Sequence, residues 1–144
     1  MTIALFAHCS KTDLLANLCV AYRRTLEKHS VVSTGGAGRA VEDAANFPVR
    51  KFLPGHVGGR SQLFALIELG EIDLVISFLG ADGRQQDCDA RALARLCEQH
   101  NVPYAGNLAT AEALLRALER GDLKGSFHAK TAITNEGTYM PDGR

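Results

Sequence analysis

Short apolar runs alternate along this chain with stretches in which apolar residues recur at helical spacing. A short apolar run is typical of a parallel strand buried on both faces, and apolar residues three or four positions apart form one face of a helix. Repeated strand–helix units predict a three-layer α/β/α fold around a five-stranded, parallel, doubly wound sheet with right-handed crossovers. Strands are predicted at 3–7, 31–33, 49–53, 74–78 and 102–105, and helices at 14–26, 39–46, 58–69, 89–98 and 108–118.

The length and the hydrophobic content predict one domain followed by a tail. The chain has 144 residues, of which 46% are hydrophobic, enough for a full core without disulfides or metals. The apolar periodicity ends near Gly121, so we assign the α/β domain to 1–121. We expect the polar segment 122–144 to be partly ordered, or to pack on a neighbouring subunit.

The balance of charge limits the partners of the chain. Sixteen basic side chains balance 16 acidic ones, so no overall field attracts nucleic acid or an anionic membrane surface. No apolar stretch reaches the length of a membrane span, and the N-terminus leads into a strand instead of a signal peptide. We therefore expect a cytoplasmic protein that binds neither nucleic acid nor membranes.

The four cysteines are scattered and form no recognisable ligand pattern. Without a C-x-x-C pair or clustered histidines, the sequence indicates neither a disulfide framework nor a zinc site. We expect no cofactor and no metal. Cys9 alone falls where a strand meets a helix, a position at which helix amides can activate a thiol. The simpler interpretation is that all four are reduced, unreactive thiols.

A glycine-rich segment follows the second predicted strand. Between a strand and a helix, glycines let backbone amides face an anion, and the helix N-terminus adds partial positive charge. The alternative is a tight turn with no ligand. Together with two neighbouring hydroxyls, the segment favours an anion site built by Ser33, Thr34, Gly35, Gly36 and Gly38.

The loop after the third predicted strand has similar glycines and one unusual residue. Gly55, Gly58 and Gly59 precede Arg60, which falls in the first turn of the next helix. A cation there opposes the helix dipole unless an anion or a carboxylate lies beside it. Arg60 is therefore a candidate ligand clamp, although an arginine that swings into solvent would satisfy the same pattern.

The order of these motifs resembles the methylglyoxal synthase family over roughly the first four fifths of the chain. The resemblance implies a Rossmann-like fold, a homo-oligomer, specifically a hexamer, and a phosphorylated substrate without a cofactor. Synthases of this family convert dihydroxyacetone phosphate to methylglyoxal and phosphate, with a carboxylate as base and a histidine that polarises the carbonyl. The matching stretches are 3–8, Thr34-Gly35-x-x-Gly38, Gly55-x-x-Gly58-Gly59 with Gln62, 72–76, Asp89 and 107–111.

The resemblance also identifies departures at the site. The catalytic aspartate of the third loop is replaced by Arg60, whose guanidinium stays protonated and cannot act as a base. The histidine after the first strand is retained as His8, but its acidic neighbour becomes Cys9. A phosphate-contacting serine becomes Pro54. Two further family residues, an aspartate and a histidine after the fourth strand, become Gly80 and Gln86, and a threonine becomes Ala37.

Loss of carboxylates and gain of cations predict a more anionic ligand than a triose monophosphate, such as a bisphosphate, a nucleotide or a polycarboxylate. The cations are Lys11, Arg39, Arg60 and Arg84; they can also be solvated, or pair with Asp82, Asp87 or Asp89. The candidate catalytic residues are His8, Asp89 and Arg60. The candidate anion ligands are Lys11, Thr12, Ser33, Thr34, Gly35, Gly36, Gly38, Gly55, Gly58, Gly59 and Arg60.

Three functions follow from this set. The first is a protein that binds a small phosphorylated metabolite or inorganic phosphate without efficient synthase activity, as in the effector-binding domain of carbamoyl phosphate synthetase. The second is an active lyase in which Asp82, Asp87 or Asp89 replaces the missing base. The third is a different enzyme of the same fold that uses Cys9.

Overall fold

The computed structural model describes residues 1–52, 58–79 and 87–123, with only the backbone described at 87 and 88. Five strands form one sheet: β1 (Thr2–Ala7), β2 (Ser30–Ser33), β3 (Arg50–Lys51), β4 (Leu74–Phe78) and β5 (Tyr104–Ala105). The helices are α1 (Thr12–Ala21), α2 (Arg23–Leu26), α3 (Gly35–Ala45), α4 (Gly59–Glu68), α5 (Asp87–Gln99) and α6 (Leu108–Arg120). A 3-10 turn, Cys9–Lys11, joins β1 to α1.

The sheet is parallel throughout and has the order β3-β2-β1-β4-β5. Ile3 on the central strand β1 is in register with Val31 on one side and with Leu74 on the other. After β1, the chain adds β2 and β3 on one side of it and then β4 and β5 on the other. The connections therefore diverge between β1 and β4. Such a switch point opens a crevice at the carboxyl ends of the strands.

Helices cover both faces of the sheet, which confirms the predicted three layers. Along β1, Ile3 and Leu5 face one apolar cluster while Ala4 and Phe6 face the other, as strand alternation requires. The first cluster contains residues of α1, α3 and α6, and the second contains residues of α4 and α5. The central strands β1 and β4 are therefore buried on both faces.

The predicted helix 14–26 is wrong as one continuous element. It breaks at Tyr22, where φ is −110° and ψ is 26°, and α2 follows as a separate short helix. Thr25 and Leu26 of α2 are buried. No proline or glycine lies at this break, so the sequence carries no local signal that predicts it.

The start of α3 also differs from the prediction. The helix begins at Gly35, not at Arg39, so the glycine-rich segment is its first turn and not a preceding loop. None of the three glycines of this turn, Gly35, Gly36 and Gly38, has a positive φ. Helical glycines can adopt this conformation when neighbouring elements stabilise it, despite their low intrinsic propensity.

Candidate functional site

The carboxyl edge of the sheet is the place where most of the predicted site residues lie. Because all strands are parallel, the residues that follow β1, β2 and β4 emerge at this edge, and α3, α4 and α5 begin there. The backbone N–H of His8 donates to the carbonyl oxygen of Phe78 at 3.4 Å, which joins the ends of β1 and β4. His8 therefore lies at the switch point, where ligands of doubly wound folds bind.

The His8 imidazole is half-buried and is oriented by the 3-10 turn that it caps. Its Nδ1 accepts a hydrogen bond from Ser10 N–H at 3.2 Å and lies 2.9 Å from Ser10 Oγ. Since Nδ1 accepts, the neutral ring carries its proton on Nε2. His8 can thus act as a donor to an oxygen through Nε2–H.

Lys11 and Thr12 stabilise the loop that carries His8. Lys11 N–H donates to the His8 carbonyl at 2.8 Å, and the Thr12 hydroxyl donates to the same carbonyl at 3.3 Å. The hydroxyl proton of Thr12 is therefore directed at the backbone and not at a ligand. The ammonium of Lys11 remains a candidate contact, because its half-buried side chain lies in the last turn of the 3-10 segment.

Thr34 caps α3 by backbone position but not by its side chain. Its φ of −71° and ψ of 160° are those of an N-cap residue, yet its hydroxyl makes no capping hydrogen bond. The first intrahelical bond is the one from Gly38 N–H to Thr34 O at 2.8 Å, so the N–H groups of Gly35, Gly36 and Ala37 precede it. The helix start therefore presents amides without intrahelical acceptors, as an anion site requires.

Ser33 does not fit its predicted role as an anion donor. Its side chain is fully buried, and its hydroxyl donates to the Leu5 carbonyl at 2.8 Å. Successive side chains of an extended chain point to opposite faces, so the hydroxyls of Ser33 and Thr34 cannot both face the same ligand. The Ser33 hydroxyl ties β2 to β1 instead.

Gly38 is also explained by packing and not by a ligand. A Cβ atom at this position would lie 2.8 Å from Lys51 Cγ and 3.3 Å from both Ser33 Cβ and Val49 Cγ1. The glycine allows α3 to approach β2 and β3 closely. At Gly36, by contrast, a Cβ atom would meet nothing within 4 Å.

Arg60 and Asp89 form an ion pair at the start of α4 and α5. Arg60 Nη1 donates to Asp89 Oδ2 at 2.5 Å, with 26% and 48% of the respective side chains exposed. Arg60 is the second residue of α4, so the carboxylate lies where the helix dipole argument requires an anion. The sequence left open whether Arg60 is solvated or pairs with an aspartate; in the structure it pairs with Asp89.

The glycines around Arg60 have separate roles. Gly58 caps α4 with a φ of 108°, a left-handed conformation that favours glycine, and Gly59 is buried in the first turn. Gly55 lies outside the described residues, as do Pro54, Gly80, Asp82, Arg84 and Gln86. Arg39 is exposed on α3.

The cysteines divide by burial. Cys9 is exposed, with Sγ 3.9 Å from His8 Nδ1, whereas Cys19 and Cys97 are buried. Burial raises the pKa of both buried thiols to about 12. In the described part of the chain, no group of three or more His, Cys, Asp or Glu side chains is arranged to hold a metal ion.

One interaction near the site was not foreseen. Glu42 Oε2 on α3 accepts from Lys51 Nζ at 2.6 Å and from Val49 N–H at 3.0 Å, which ties α3 to β3. The hydrogen bond from Lys51, followed by the one from Val49, lowers the pKa of Glu42. The nine-residue separation of Glu42 and Lys51 has no local periodicity that predicts it.

Comparison with known proteins identifies relatives of the whole domain. A family model described as "MGS-like domain" matches residues 15–106. Methylglyoxal synthase of Caldicellulosiruptor saccharolyticus is 44% identical over 124 residues, which cover 85% of this chain and 88% of that protein. Methylglyoxal synthase of Oceanobacillus iheyensis is 36% identical over 139 residues, 96% of this chain and 99% of that protein, so the alignment continues beyond Gly121.

A solved structure agrees with the sequence comparison. The crystal structure of methylglyoxal synthase from Elizabethkingia anophelis matches with a TM-score of 0.73 and 36% identity, and the match covers 79% of this chain and 76% of that one. No helix in the described segments is both long and apolar enough to cross a bilayer. With its parallel sheet and these relatives, the chain belongs to the MGS-like domain family.

Proposed function

We propose that this protein binds a small phosphorylated or polyanionic metabolite at the carboxyl edge of its sheet and is a poor methylglyoxal synthase. The observation that carries the proposal is the Arg60–Asp89 ion pair. A cation occupies the position of the family's catalytic base, and the nearest described carboxylate is engaged with it. Within the described segments, the site thus has groups for binding an anion, while its candidate base Asp89 is paired with Arg60.

The N-terminus of α3 is the proposed phosphate subsite. The amides of Gly35, Gly36 and Ala37 supply donors, and the helix dipole adds partial positive charge. Thr34 strengthens the case because its side chain is only 7% exposed and its hydroxyl makes no hydrogen bond among the described residues. No side-chain N or O atom of the described residues is both fully buried and without a partner, so this hydroxyl reaches the surface at the helix start, where a ligand can contact it.

Arg60 is the reason for weak synthase activity. Proton abstraction from carbon requires a basic group, and a guanidinium stays protonated at neutral pH. His8 retains a donor at Nε2 that suits a substrate carbonyl or a phosphate oxygen. The proposed site therefore keeps polarisation and anion binding without general base catalysis.

An active lyase is the second candidate, and the names of the relatives favour it. Proteins 36–44% identical over most of the chain are named methylglyoxal synthase. In this alternative, Asp89 leaves Arg60 when substrate binds and acts as the base. The two candidates share the binding site and differ only in turnover.

Production of methylglyoxal from dihydroxyacetone phosphate separates them. We expect the wild type to show little turnover and Arg60→Asp to gain activity by about 100-fold or more, since a positioned base contributes on that order. His8→Asn in the Arg60→Asp background serves as a control that should lose the gain. Robust turnover by the wild type that Asp89→Asn abolishes would establish the lyase instead.

Binding itself is tested by thermal unfolding with inorganic phosphate and phosphorylated metabolites. A ligand at 100 times its dissociation constant adds about 2.7 kcal/mol to the stability of the folded state. Thr34→Val keeps the shape of the side chain but removes the hydroxyl, and we expect it to weaken phosphate binding about tenfold. Absence of a shift with every anion would contradict the proposal.

We also propose a cytoplasmic location and a homo-hexamer, of which the resemblance supports the hexamer, with the segment 122–144 partly ordered or packed on a neighbouring subunit. Light scattering after gel filtration measures the assembly directly. Leu123 is buried in the first apolar cluster, so we expect truncation after 123 to leave the α/β domain folded. Loss of the domain's cooperative unfolding in that truncated chain would show that the segment belongs to the core.

A further inference from the structure

The Arg60–Asp89 pair is held by a single contact. One guanidinium nitrogen, Nη1, meets one carboxylate oxygen, Oδ2. A bidentate pair would present two parallel hydrogen bonds and would be stronger and geometrically more demanding. Since this pair is joined end-on and is partly exposed, another anion can replace the carboxylate at small cost.

The helix dipoles make the two partners unequal. Arg60 lies in the first turn of α4, where a cation is unfavourable without an anion beside it. Asp89 lies in the first turn of α5, where a carboxylate is favourable even without Arg60. When the pair separates, Arg60 loses a needed partner, while Asp89 keeps a stabilising environment.

The exposure of the two side chains also indicates that Asp89, and not Arg60, is the partner that moves. The Asp89 side chain is 48% exposed and can turn to water, whereas Arg60 is only 26% exposed and stays close to the protein surface. An incoming anion therefore finds the cation in place, and the carboxylate is the partner that leaves.

We propose that Asp89 is an internal competitor for Arg60, and that the site consequently selects ligands with a second anionic group besides the phosphate. This inference rests on the proposed function, because the phosphate subsite at Thr34 and α3 anchors the ligand. A ligand with one phosphate satisfies that subsite and leaves Arg60 with Asp89. A ligand that also carries a carboxylate or a second phosphate displaces Asp89 and binds Arg60.

Two phosphate esters of the same carbon skeleton test the selection. Glycerol 3-phosphate ends in a hydroxymethyl group where 3-phosphoglycerate ends in a carboxylate, so the ratio of their dissociation constants, measured by titration calorimetry, reports the second anionic group. We expect wild type to prefer 3-phosphoglycerate. Asp89→Asn should enlarge the preference roughly three- to fivefold, and Arg60→Gln should abolish it.

Charge-matched controls isolate the pair. Arg95→Gln and Glu98→Gln change the same charges at exposed positions of α5 and should leave the ratio unchanged. In the Arg60→Gln background, Asp89→Asn should no longer alter the ratio, because Asp89 acts through Arg60. Circular dichroism and thermal unfolding of each variant exclude loss of folding as the cause.

The possible failures are distinguishable. If the folded wild type binds neither ester, the inference is wrong; if no anion in the thermal-unfolding series binds either, the proposed function is wrong with it. If it binds glycerol 3-phosphate but Asp89→Asn leaves or reduces the preference, Asp89 is not a competitor and only the inference is overturned. A preference that survives Arg60→Gln likewise assigns the second anionic group to another residue.

Discussion

Gly36 and Gly38 lie two residues apart in the first turn of α3, yet only one of them is required by its surroundings. Gly38 faces the side chains of Lys51, Ser33 and Val49, while Gly36 is exposed. In sequence the two are equivalent members of one glycine-rich motif. Their difference arises from the side of the helix that meets the sheet.

Alanine substitution separates the two glycines. Gly38→Ala should destabilise the protein by about 1–3 kcal/mol, because the new methyl group overlaps Cγ of Lys51, a side chain whose Nζ is held by Glu42. Gly36→Ala should be neutral or stabilising by up to about 1 kcal/mol, since a helical alanine loses less backbone entropy. Urea unfolding at fixed protein concentration measures both. Equal effects would contradict the packing role of Gly38.

Ser33 and Thr34 show how far a motif predicts a site. Both hydroxyls were expected to bind an anion, but Ser33 donates to Leu5 O across the sheet, whereas Thr34 has no partner among the described residues. The sequence correctly predicted that both polar side chains lie at the end of a strand. Which of them faces a ligand depends on the strand register, which no local pattern contains.

Glu42 connects two elements, because its carboxylate on α3 binds both Lys51 and the backbone of Val49 beside β3. The helix whose N-terminus forms the proposed phosphate subsite is thereby held against the edge strand. β3 has only two residues, so this contact supplements a short hydrogen-bond ladder.

The stabilisation by Glu42 should depend on pH. The Lys51 hydrogen bond lowers the pKa of Glu42 below its usual 4.5 in the folded state, so the unfolded state binds the proton more readily. The stabilisation is therefore complete above about pH 4.5 and is lost as pH falls through the folded-state pKa. Glu42→Gln should destabilise the protein near pH 7 and converge with wild type in acid.

Urea midpoints from pH 7 to pH 3 check this dependence. Glu68→Gln, at an exposed carboxylate of α4 with no ion pair in the described segments, is the matched control and should parallel wild type. A constant difference between Glu42→Gln and wild type across the series would count against the ion pair as its cause.

The start of α6 offers a test of a helix cap. Asn107 has extended φ and ψ, and its Oδ1 accepts from Thr110 N–H at 2.9 Å. Asn107→Ala should cost about 1 kcal/mol in stability, while Asn107→Asp, which retains the acceptor, should cost much less. Thermal unfolding of the three proteins measures the order. An alanine variant as stable as wild type would show that the cap contributes nothing.

Across the whole molecule, burial divides the cysteine thiols. Cys19 lies in the cluster under α1 and α3, and Cys97 lies in the cluster on the opposite face. Desolvation raises the pKa of each to about 12, so the reactive thiolate is scarce at neutral pH. Their chemical reactivity therefore reports on the integrity of the two cores.

Alkylation followed by peptide mass spectrometry tests this division. At pH 8, iodoacetamide should modify exposed Cys9 in the native protein and leave Cys19 and Cys97 unmodified for hours. In urea above the unfolding transition, all three should react at similar rates. Rapid modification of Cys19 or Cys97 in the native state would show that one face of the sheet opens locally.

Much of the architecture was predictable because periodicity reports burial directly. The runs around Ile3 and Leu74 became central strands, and the apolar faces of α5 and α6 became core, as the spacing indicated. The break at Tyr22 and the early start of α3 were not predictable. Both depend on contacts between elements that are distant in sequence.

The amino-acid sequence alone was sufficient for the three layers, the parallel sheet and the family, because these follow from local periodicity and from motifs after strands. The partners of individual side chains required the folded chain. Arg60 meets Asp89 across 29 positions, and Ser33 meets Leu5 across 28. Such contacts arise from the packing of helices on a sheet, where position in space and not separation along the chain determines which charges and hydroxyls pair.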